Sequence, residues 1–174
     1  MIEYENLEKA NRPFFDLFIE SFTDTLKKGW FVLGAKVAGF EAEFAAYLGS
    51  RHVVGVGSGL DALVLSFDAL QLKRGAEVLV ASNTYIATII AILRSGLKPV
   101  LVEPDILTYN IDPARMAEKI SADTAAILVT HLYGKPCDMG PIMDIAAAHN
   151  LKVVEDCAHC IEGERDGIRP GDAF

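Results

Sequence analysis

The stretch that decides the fold is A-E-V-L-V-A-S-N-T-Y-I-A-T-I-I-A-I-L-R-S-G-L-K-P-V-L-V-E, residues 76–103. Its apolar run at 76–81 predicts a strand, residues 85–94 predict a helix, and the second run at 97–103 predicts another strand. Both strand segments are continuous apolar runs, which is typical of a parallel sheet that is covered on both faces. The stretch therefore predicts a right-handed βαβ unit.

The same alternation continues on both sides of this unit. Further strands are predicted at 52–56, 124–131 and 151–156, and further helices at 60–70, 111–120 and 139–149. Regular alternation of this kind predicts an α/β fold, with an open, mostly parallel sheet and helices on both faces. Ligands of such sheets bind beyond the carboxyl ends of the strands, so the residues just after each strand are the candidate site.

The first 50 residues have a different pattern, which predicts helices only. One helix is expected from Pro13 to its end at Gly29, and a second over residues 40–49, closed by Gly49. The first helix carries apolar residues on one face: Phe14, Phe15, Phe18, Ile19, Phe22 and Leu26. We expect residues 1–50 to form a helical segment that packs on an α/β domain comprising residues 51–174.

Composition limits the classes of function. The net charge of -8 argues against nucleic acid as the main partner, because phosphate backbones are bound by Lys and Arg. No apolar run reaches the ~20 residues of a membrane-spanning helix, and the acidic N-terminus does not resemble a signal peptide. Three cysteines are an odd number, so a secreted disulfide framework is not expected. We expect a cytoplasmic location instead.

A glycine-rich turn precedes the helix at 60–70. In G-V-G-S-G-L-D-A-L, residues 55–63, Ser58 can cap the helix and Asp61 can complete a capping box. The N–H groups of Gly59 and Leu60 would then face a positive helix end that favours a phosphate. A capped helix without any ligand explains the turn equally well. No Gly-Lys-Ser/Thr follows, so the turn is not a nucleotide-binding P-loop.

Two further candidates follow predicted strands. Tyr85 could stack on a flat ligand or pack into the core. Asp156 ends the last predicted strand, and its neighbour Glu155 should point to the opposite face of the sheet. A buried carboxylate normally pairs with a cation or a donor, and a protonated ring nitrogen would be such a partner.

The segment Cys157-Ala158-His159-Cys160 allows other interpretations. It could be a redox-active Cys-x-x-Cys pair. Alternatively, Cys157 and Cys160 could bind zinc together with Cys137 and His131. The cysteines could also be small packing residues.

Seven motifs taken together resemble one family, the DegT/DnrJ/EryC1/StrS sugar aminotransferases. These are pyridoxal-phosphate (PLP) enzymes of the aspartate-aminotransferase fold type. The resemblance covers nearly the whole chain, in order. The motifs are W-F-V-L-G (30–34), F-E-A-E-F-A-A-Y-L-G (40–49), G-S-G-L-D-A-L (57–63), S-N-T-Y-I-A-T (82–88), Y-N-I-D-P (109–113), H-L-Y-G-K-P-C-D-M (131–139) and E-D-C-A-H (155–159).

This resemblance implies roles for particular residues. It assigns the cofactor phosphate to the N–H groups of Gly59 and Leu60, with Ser58 beside them. Tyr85 would stack on the pyridine ring, and Asp156 would pair with the pyridine N–H. His159, where the family often has glutamine, would bond the phenolic oxygen. Asp156 and His159 are the implied catalytic residues, and Trp30 and Gly34 the implied substrate-binding residues.

The resemblance also implies an activity. An amino group would pass from an amino acid, with glutamate as the expected donor, to a nucleotide-linked keto-deoxysugar. Such enzymes act in aminosugar biosynthesis for lipopolysaccharide and other surface polysaccharides or for antibiotics, and they are homodimers. The segments G-L-D-A-L (59–63) and V-E-P-D (102–105) resemble those of members that act at a 3-keto carbon, and members that act at a 4-keto carbon are similar.

The chain ends at G-D-A-F, residues 171–174, before the position of the family's Schiff-base lysine. It resembles the N-terminal portion of the large domain, without the small C-terminal domain. We therefore expect the chain by itself to be unable to transaminate. A non-catalytic fragment or binding module is the alternative.

Overall fold

The computed structural model describes residues 5–171. Two compact units are present, Met1–Gly55 and Val56–Phe174. The assignment of residues 1–50 and 51–174 to separate functional domains stays a prediction.

The first unit is helical. Its helices are α1 (Leu7–Asn11), α2 (Phe15–Lys28) and α3 (Ala35–Leu48), with a 3-10 turn at Arg12–Phe14 between α1 and α2. Gly29 and Gly49 adopt left-handed backbone conformations that end α2 and α3, as their positions predicted. The longest described helices, α2 and α3, have 14 residues each and so span about 21 Å. None of the described helices is long and apolar enough to cross a bilayer.

The second unit is the predicted α/β fold. Its helices are α4 (Gly59–Leu70), α5 (Ile86–Arg94), α6 (Pro113–Ala117) and α7 (Met139–His149). Its strands are β1 (Glu77–Ala81), β2 (Lys98–Val102), β3 (Thr124–Thr130) and β4 (Lys152–Asp156). They form a parallel sheet in the order β2-β1-β3-β4. The prediction of a mostly parallel sheet with helices on both faces is confirmed.

Alternation along the strands divides the core between the two faces of the sheet. Leu79 and Ile127 are fully buried on the face that α6 and α7 cover. Their neighbours Val80 and Leu128 are fully buried on the face that α4 and α5 cover. Strands covered on both faces must be apolar at every position, which explains the continuous apolar runs in the sequence.

One predicted strand is wrong. Residues 52–56 belong to no strand, so the described part of the chain has four strands where five were predicted. Val54 is 75% exposed, which a core strand would not be. A strand is stabilised by its hydrogen-bonded ladder, and no described strand pairs with this segment. The apolar run alone could not indicate that the partner was missing.

Candidate active site

Three predicted site residues lie at one edge of the sheet. Helix α4 has 12 residues and spans about 18 Å. A short connection joins its end to β1, a five-residue strand of about 17 Å. The similar lengths and the short connection favour opposite directions for the two elements, which would place the start of α4 at Ser58 at the carboxyl edge of the sheet. Tyr85 follows β1 at this edge, and Asp156 ends β4 there.

These residues also share a face of the sheet. Asp156 is two positions beyond Val154, which packs with the core that α4 and α5 cover. Side chains two positions apart on a strand point to the same face. The carboxylate of Asp156 and the starts of α4 and α5 are thus on one side of the carboxyl edge.

The start of α4 is capped as predicted, with one difference. Ser58 Oγ accepts a hydrogen bond from the backbone N–H of Asp61 at 3.1 Å. The Asp61 carboxylate accepts from the Ser58 hydroxyl at 2.8 Å, whereas a capping box would use the Ser58 backbone N–H. Because the hydroxyl proton of Ser58 is committed to Asp61, only backbone groups are left to donate to an anion here.

Those backbone groups have room for a ligand. The N–H groups of Gly59 and Leu60 lie in the first turn, where a helix offers no acceptor of its own. A Cβ added to Gly59 would meet no atom within 4 Å. The free N–H groups, the open space and the positive end of the helix dipole suit a phosphate.

Tyr85 precedes the first residue of α5, and its side chain is 67% exposed. Core packing, the alternative interpretation of this tyrosine, is therefore wrong. Tyr85 makes no side-chain cap at the start of α5, and Asn83 does not cap it either. Asn83 Nδ2 instead donates to the carbonyl of Tyr109 at 2.9 Å. The exposed ring of Tyr85 is free to stack on a flat ligand.

The carboxylate of Asp156 is held by two donors. Oδ2 accepts from the hydroxyl of Thr88 at 3.0 Å, and Oδ1 accepts from the backbone N–H of Ala158 at 3.1 Å. Asp156 is only partly buried. Within residues 5–171, no ion pair joins it to Lys, Arg or His. A carboxylate oriented in this way, without a cation of its own, is suited to a cationic ligand.

Sequence reasoning missed the threonines around Asp156. The hydroxyl of Thr88 also contacts that of Thr84 at 3.2 Å, and Thr84 contacts Thr130 at 3.1 Å. Thr88 and Thr130 are buried, with 1% and 5% exposure. No local sequence period indicated these contacts, because Thr84 lies in the loop before α5, Thr88 lies in its first turn and Thr130 ends β3.

Glu155 points to the opposite face, as predicted. Its Oε2 lies 2.8 Å from His131 Nε2, and both side chains are almost fully buried. The backbone N–H of Cys137 donates to His131 Nδ1 at 3.0 Å, so Nδ1 carries no proton. His131 is therefore the Nε2–H tautomer, which donates to Glu155.

The same contacts argue against the thiol and zinc alternatives. All three cysteines are free, and burial raises the pKa of both Cys137 and Cys157 to about 12, so neither is a thiolate at neutral pH. Both nitrogens of His131 are already engaged. No group of His, Cys, Asp and Glu in the described residues has the arrangement of a metal site. Neither a redox pair nor a zinc site at Cys157 and Cys160 is favoured.

His159 is exposed beyond β4, and its ring centroid lies 6.4 Å from that of Tyr133. Trp30 and Gly34 belong to the first unit. The Trp30 ring is 69% exposed and its Nε1–H donates to the Val32 carbonyl at 2.6 Å. A Cβ at Gly34 would lie 3.2 Å from the Trp30 carbonyl oxygen, so this position favours glycine. The functional roles of these three residues stay predictions.

Comparison with known proteins identifies relatives of the whole described fold. The model of the DegT/DnrJ/EryC1/StrS aminotransferase family matches residues 16–173. A protein from Aneurinibacillus thermoaerophilus, named dTDP-3-amino-3,6-dideoxy-alpha-D-galactopyranose transaminase, is 47% identical over 171 residues, which are 98% of this chain and 47% of that protein.

Solved structures agree with the sequence match. The structure of S. venezuelae DesV in complex with a ketimine intermediate has a TM-score of 0.93 and 38% identity, and the match covers 98% of this chain and 46% of DesV. NtdA from Bacillus subtilis, with bound cofactor PMP, has a TM-score of 0.87 and 35% identity, over 95% of this chain and 39% of NtdA. The aminotransferase fold implied by the motifs is confirmed.

The chain spans less than half the length of the curated relatives that it matches. The family match nevertheless extends over nearly all of its residues. The chain belongs to the DegT/DnrJ/EryC1/StrS aminotransferase family.

Proposed function

We propose that this chain provides the cofactor-binding part of a PLP-dependent nucleotide-sugar aminotransferase, in which Asp156 pairs with the cofactor's ring nitrogen. One observation carries the proposal. The Asp156 carboxylate lies at the carboxyl edge of the sheet, oriented by Thr88 and Ala158, and no described cation pairs with it. PMP, the amino form of the same cofactor, is bound in the related NtdA structure.

The donor set fits the chemistry of PLP at three places. The backbone N–H groups of Gly59 and Leu60, beside Ser58, can donate hydrogen bonds to the phosphate. The exposed ring of Tyr85 provides a stacking surface for the pyridine. Asp156 provides a negative charge for a protonated ring nitrogen. These groups come from the start of α4, the residue before α5 and the end of β4, and we propose that they face one ligand.

PLP, when bound, supplies an electron sink for the carbanion formed on proton removal. The proposed role of this chain's residues is to hold the ring and to keep its nitrogen protonated. Asp156 keeps a proton on the ring nitrogen, because an adjacent carboxylate favours the charged form of a base. His159 is proposed to donate to the phenolic oxygen of the cofactor.

The proposed substrate is a nucleotide-linked keto-deoxysugar, with glutamate as amino donor. The name of the relative from A. thermoaerophilus specifies a dTDP sugar with a 3-amino group, which supports action at a 3-keto carbon. Trp30 and Gly34 are proposed to contact this substrate. The product would enter aminosugar biosynthesis for lipopolysaccharide, another surface polysaccharide or an antibiotic.

A homodimer in the cytoplasm completes the proposal. The apolar face of α2 is more than half exposed at Phe18, Ile19, Phe22 and Leu26. Exposed apolar surface of this extent is typical of a protein interface. Three free cysteines are consistent with a reducing compartment.

Titration of the chain with PMP, followed by fluorescence, tests this proposal, because PMP binds without a covalent link to lysine. We expect saturable binding that inorganic phosphate weakens. Asp156→Asn should bind PMP at least about tenfold more weakly, since it loses a charge-assisted hydrogen bond. The control is Asp144→Asn, which removes an exposed charge on α7, on the other face of the sheet. Equal affinities of wild type and Asp156→Asn, or no binding by the wild type, would refute the proposal.

A further inference from the structure

We infer that Thr130, Thr84 and Thr88 form a one-directional chain of hydroxyl groups that acts through Asp156 to hold the proton on the cofactor's ring nitrogen. These three threonines are positioning residues, since none of them is proposed to touch the ring. The inference rests on the proposed function and assigns a role to residues that lie behind Asp156.

The three hydroxyls come from separate elements that meet only in the folded chain. Thr130 ends β3, Thr84 lies in the loop after β1, and Thr88 lies in the first turn of α5. The contacts are 3.1 Å from Thr130 to Thr84, 3.2 Å from Thr84 to Thr88, and 3.0 Å from Thr88 to Asp156. Each Oγ1 thus contacts the next group in a continuous line.

The direction of this line follows from counting protons. A carboxylate can only accept, so the single hydroxyl proton of Thr88 points to Asp156 Oδ2. The contact between Thr84 and Thr88 must then be a donation by Thr84. With the proton of Thr84 used, the third contact must be a donation by Thr130. The chain therefore runs from Thr130 through Thr84 and Thr88 to Asp156.

This direction matters for the charge of Asp156. A hydroxyl that accepts a hydrogen bond becomes a better donor, so the bond from Thr88 to Asp156 is strengthened by the two threonines behind it. Thr88 and Thr130 are almost fully buried, so water has little access to these two hydroxyls. A carboxylate oxygen that already accepts a strong hydrogen bond competes less well for the proton of the ring N–H. The proton shared between Asp156 and the ring nitrogen is therefore held on the ring.

The same donors orient the carboxylate. Thr88 holds Oδ2 and the backbone N–H of Ala158 holds Oδ1, which fixes the plane of the group. Each carboxylate oxygen has two acceptor positions, so a further donor can still be bound. Asp156 is thus arranged for the ring N–H before the cofactor arrives, which lowers the ordering cost of binding.

The test is the 15N chemical shift of ring-labelled PMP bound to the chain, because this shift reports directly whether the ring nitrogen is protonated. Valine matches threonine in shape and lacks the hydroxyl, and serine keeps the hydroxyl. We expect the protonated signal with wild type and Thr88→Ser. Thr88→Val should move the signal toward the unprotonated ring and weaken PMP binding about three- to tenfold. Thr84→Val should have the same effects at a smaller size.

The outcomes separate this inference from the function on which it rests. Absence of PMP binding by the wild type would overturn both. Binding that Asp156→Asn weakens, with an unchanged 15N signal in Thr88→Val and Thr84→Val, would overturn the hydroxyl chain and leave the proposed function standing. Circular dichroism checks the fold of each variant. If Thr88→Val does not fold, Thr84→Val decides, because Thr84 does not touch Asp156 and its loss leaves the carboxylate bonded to Thr88.

Discussion

Glu155 and Asp156 are adjacent acids at the end of one strand, and their side chains have different surroundings on the two faces of the sheet. On the α7 face, Glu155 is closed in by His131 and by the backbone N–H of Gly171, and its side chain is 4% exposed. On the α5 face, Asp156 has donors on both oxygens and remains partly open. Two acids that look alike in the sequence thus differ in the structure: the Glu155 carboxylate is enclosed, and the Asp156 carboxylate is accessible.

The difference separates a structural carboxylate from a functional one. A buried charge is tolerated when its partners come from the fold itself, and Glu155 has such partners. Asp156 has oriented hydrogen bonds without a cation from the described fold, which leaves its charge available to a ligand. We expect variants of the buried groups on the α7 face to change stability, and variants of Asp156 and its hydroxyl donors on the α5 face to change cofactor binding.

The largest expected effect concerns the thiol of Cys137 on the closed face. Burial, helped by the Glu155 carboxylate, raises the pKa of Cys137 from 9.0 to about 12. Because only the thiolate reacts, alkylation of Cys137 in the folded chain at pH 8 should be about a thousandfold slower than in urea. Peptide mapping by mass spectrometry measures the rate. Equal rates in both states would contradict a closed face.

The same pKa predicts how stability depends on pH. The folded state binds the thiol proton more tightly than the unfolded chain does, so protonation favours folding. The contribution from Cys137 should be fully present below about pH 9 and should be lost as the pH rises through about 12. Urea unfolding of wild type and Cys137→Ser across this range isolates the contribution.

The next largest effect should follow from breaking the His131–Glu155 pair. His131→Ala leaves the buried Glu155 carboxylate without its imidazole donor, which should lower the free energy of unfolding by about 3 kcal/mol. Urea denaturation measures this loss. The matched control is the double variant His131→Leu/Glu155→Leu, which removes both polar groups and should recover most of the stability. A small loss in His131→Ala alone would show that the α7 face is not closed.

The smallest effect is expected at the start of α4, on the open face. Ser58→Ala removes the side chain that caps the helix and should cost about 1 kcal/mol of stability. PMP affinity should change less than threefold, because the phosphate donors are assigned to the backbone and the Ser58 hydroxyl is committed to Asp61. Thermal denaturation and PMP titration of one preparation measure both quantities. A larger loss of affinity would indicate that the Ser58 hydroxyl contacts the phosphate directly.

Local sequence patterns predicted most of this architecture. Continuous apolar runs gave the four strands, and glycine positions gave the ends of α2 and α3. Strand alternation placed Glu155 and Asp156 on opposite faces. The error at residues 52–56 has the same origin, because an apolar run indicates a tendency to form a strand and carries no information about a pairing partner.

The missed part of the site depends on contacts between distant residues. Thr88 and Asp156 are 68 positions apart, and Thr84 and Thr130 are 46 apart. The pairing of Glu155 with His131 also joins the ends of two strands. No helical or strand period records such contacts, since they arise only when the sheet order brings the strand ends together.

The most direct test of the account is a crystal structure of the chain with bound PMP. We predict that the ring nitrogen lies about 3 Å from a carboxylate oxygen of Asp156, as a charge-assisted hydrogen bond requires, with the phosphate at the N–H groups of Gly59 and Leu60. A ring bound elsewhere, or an Asp156 carboxylate turned away from the nitrogen toward an arginine or lysine, would contradict it.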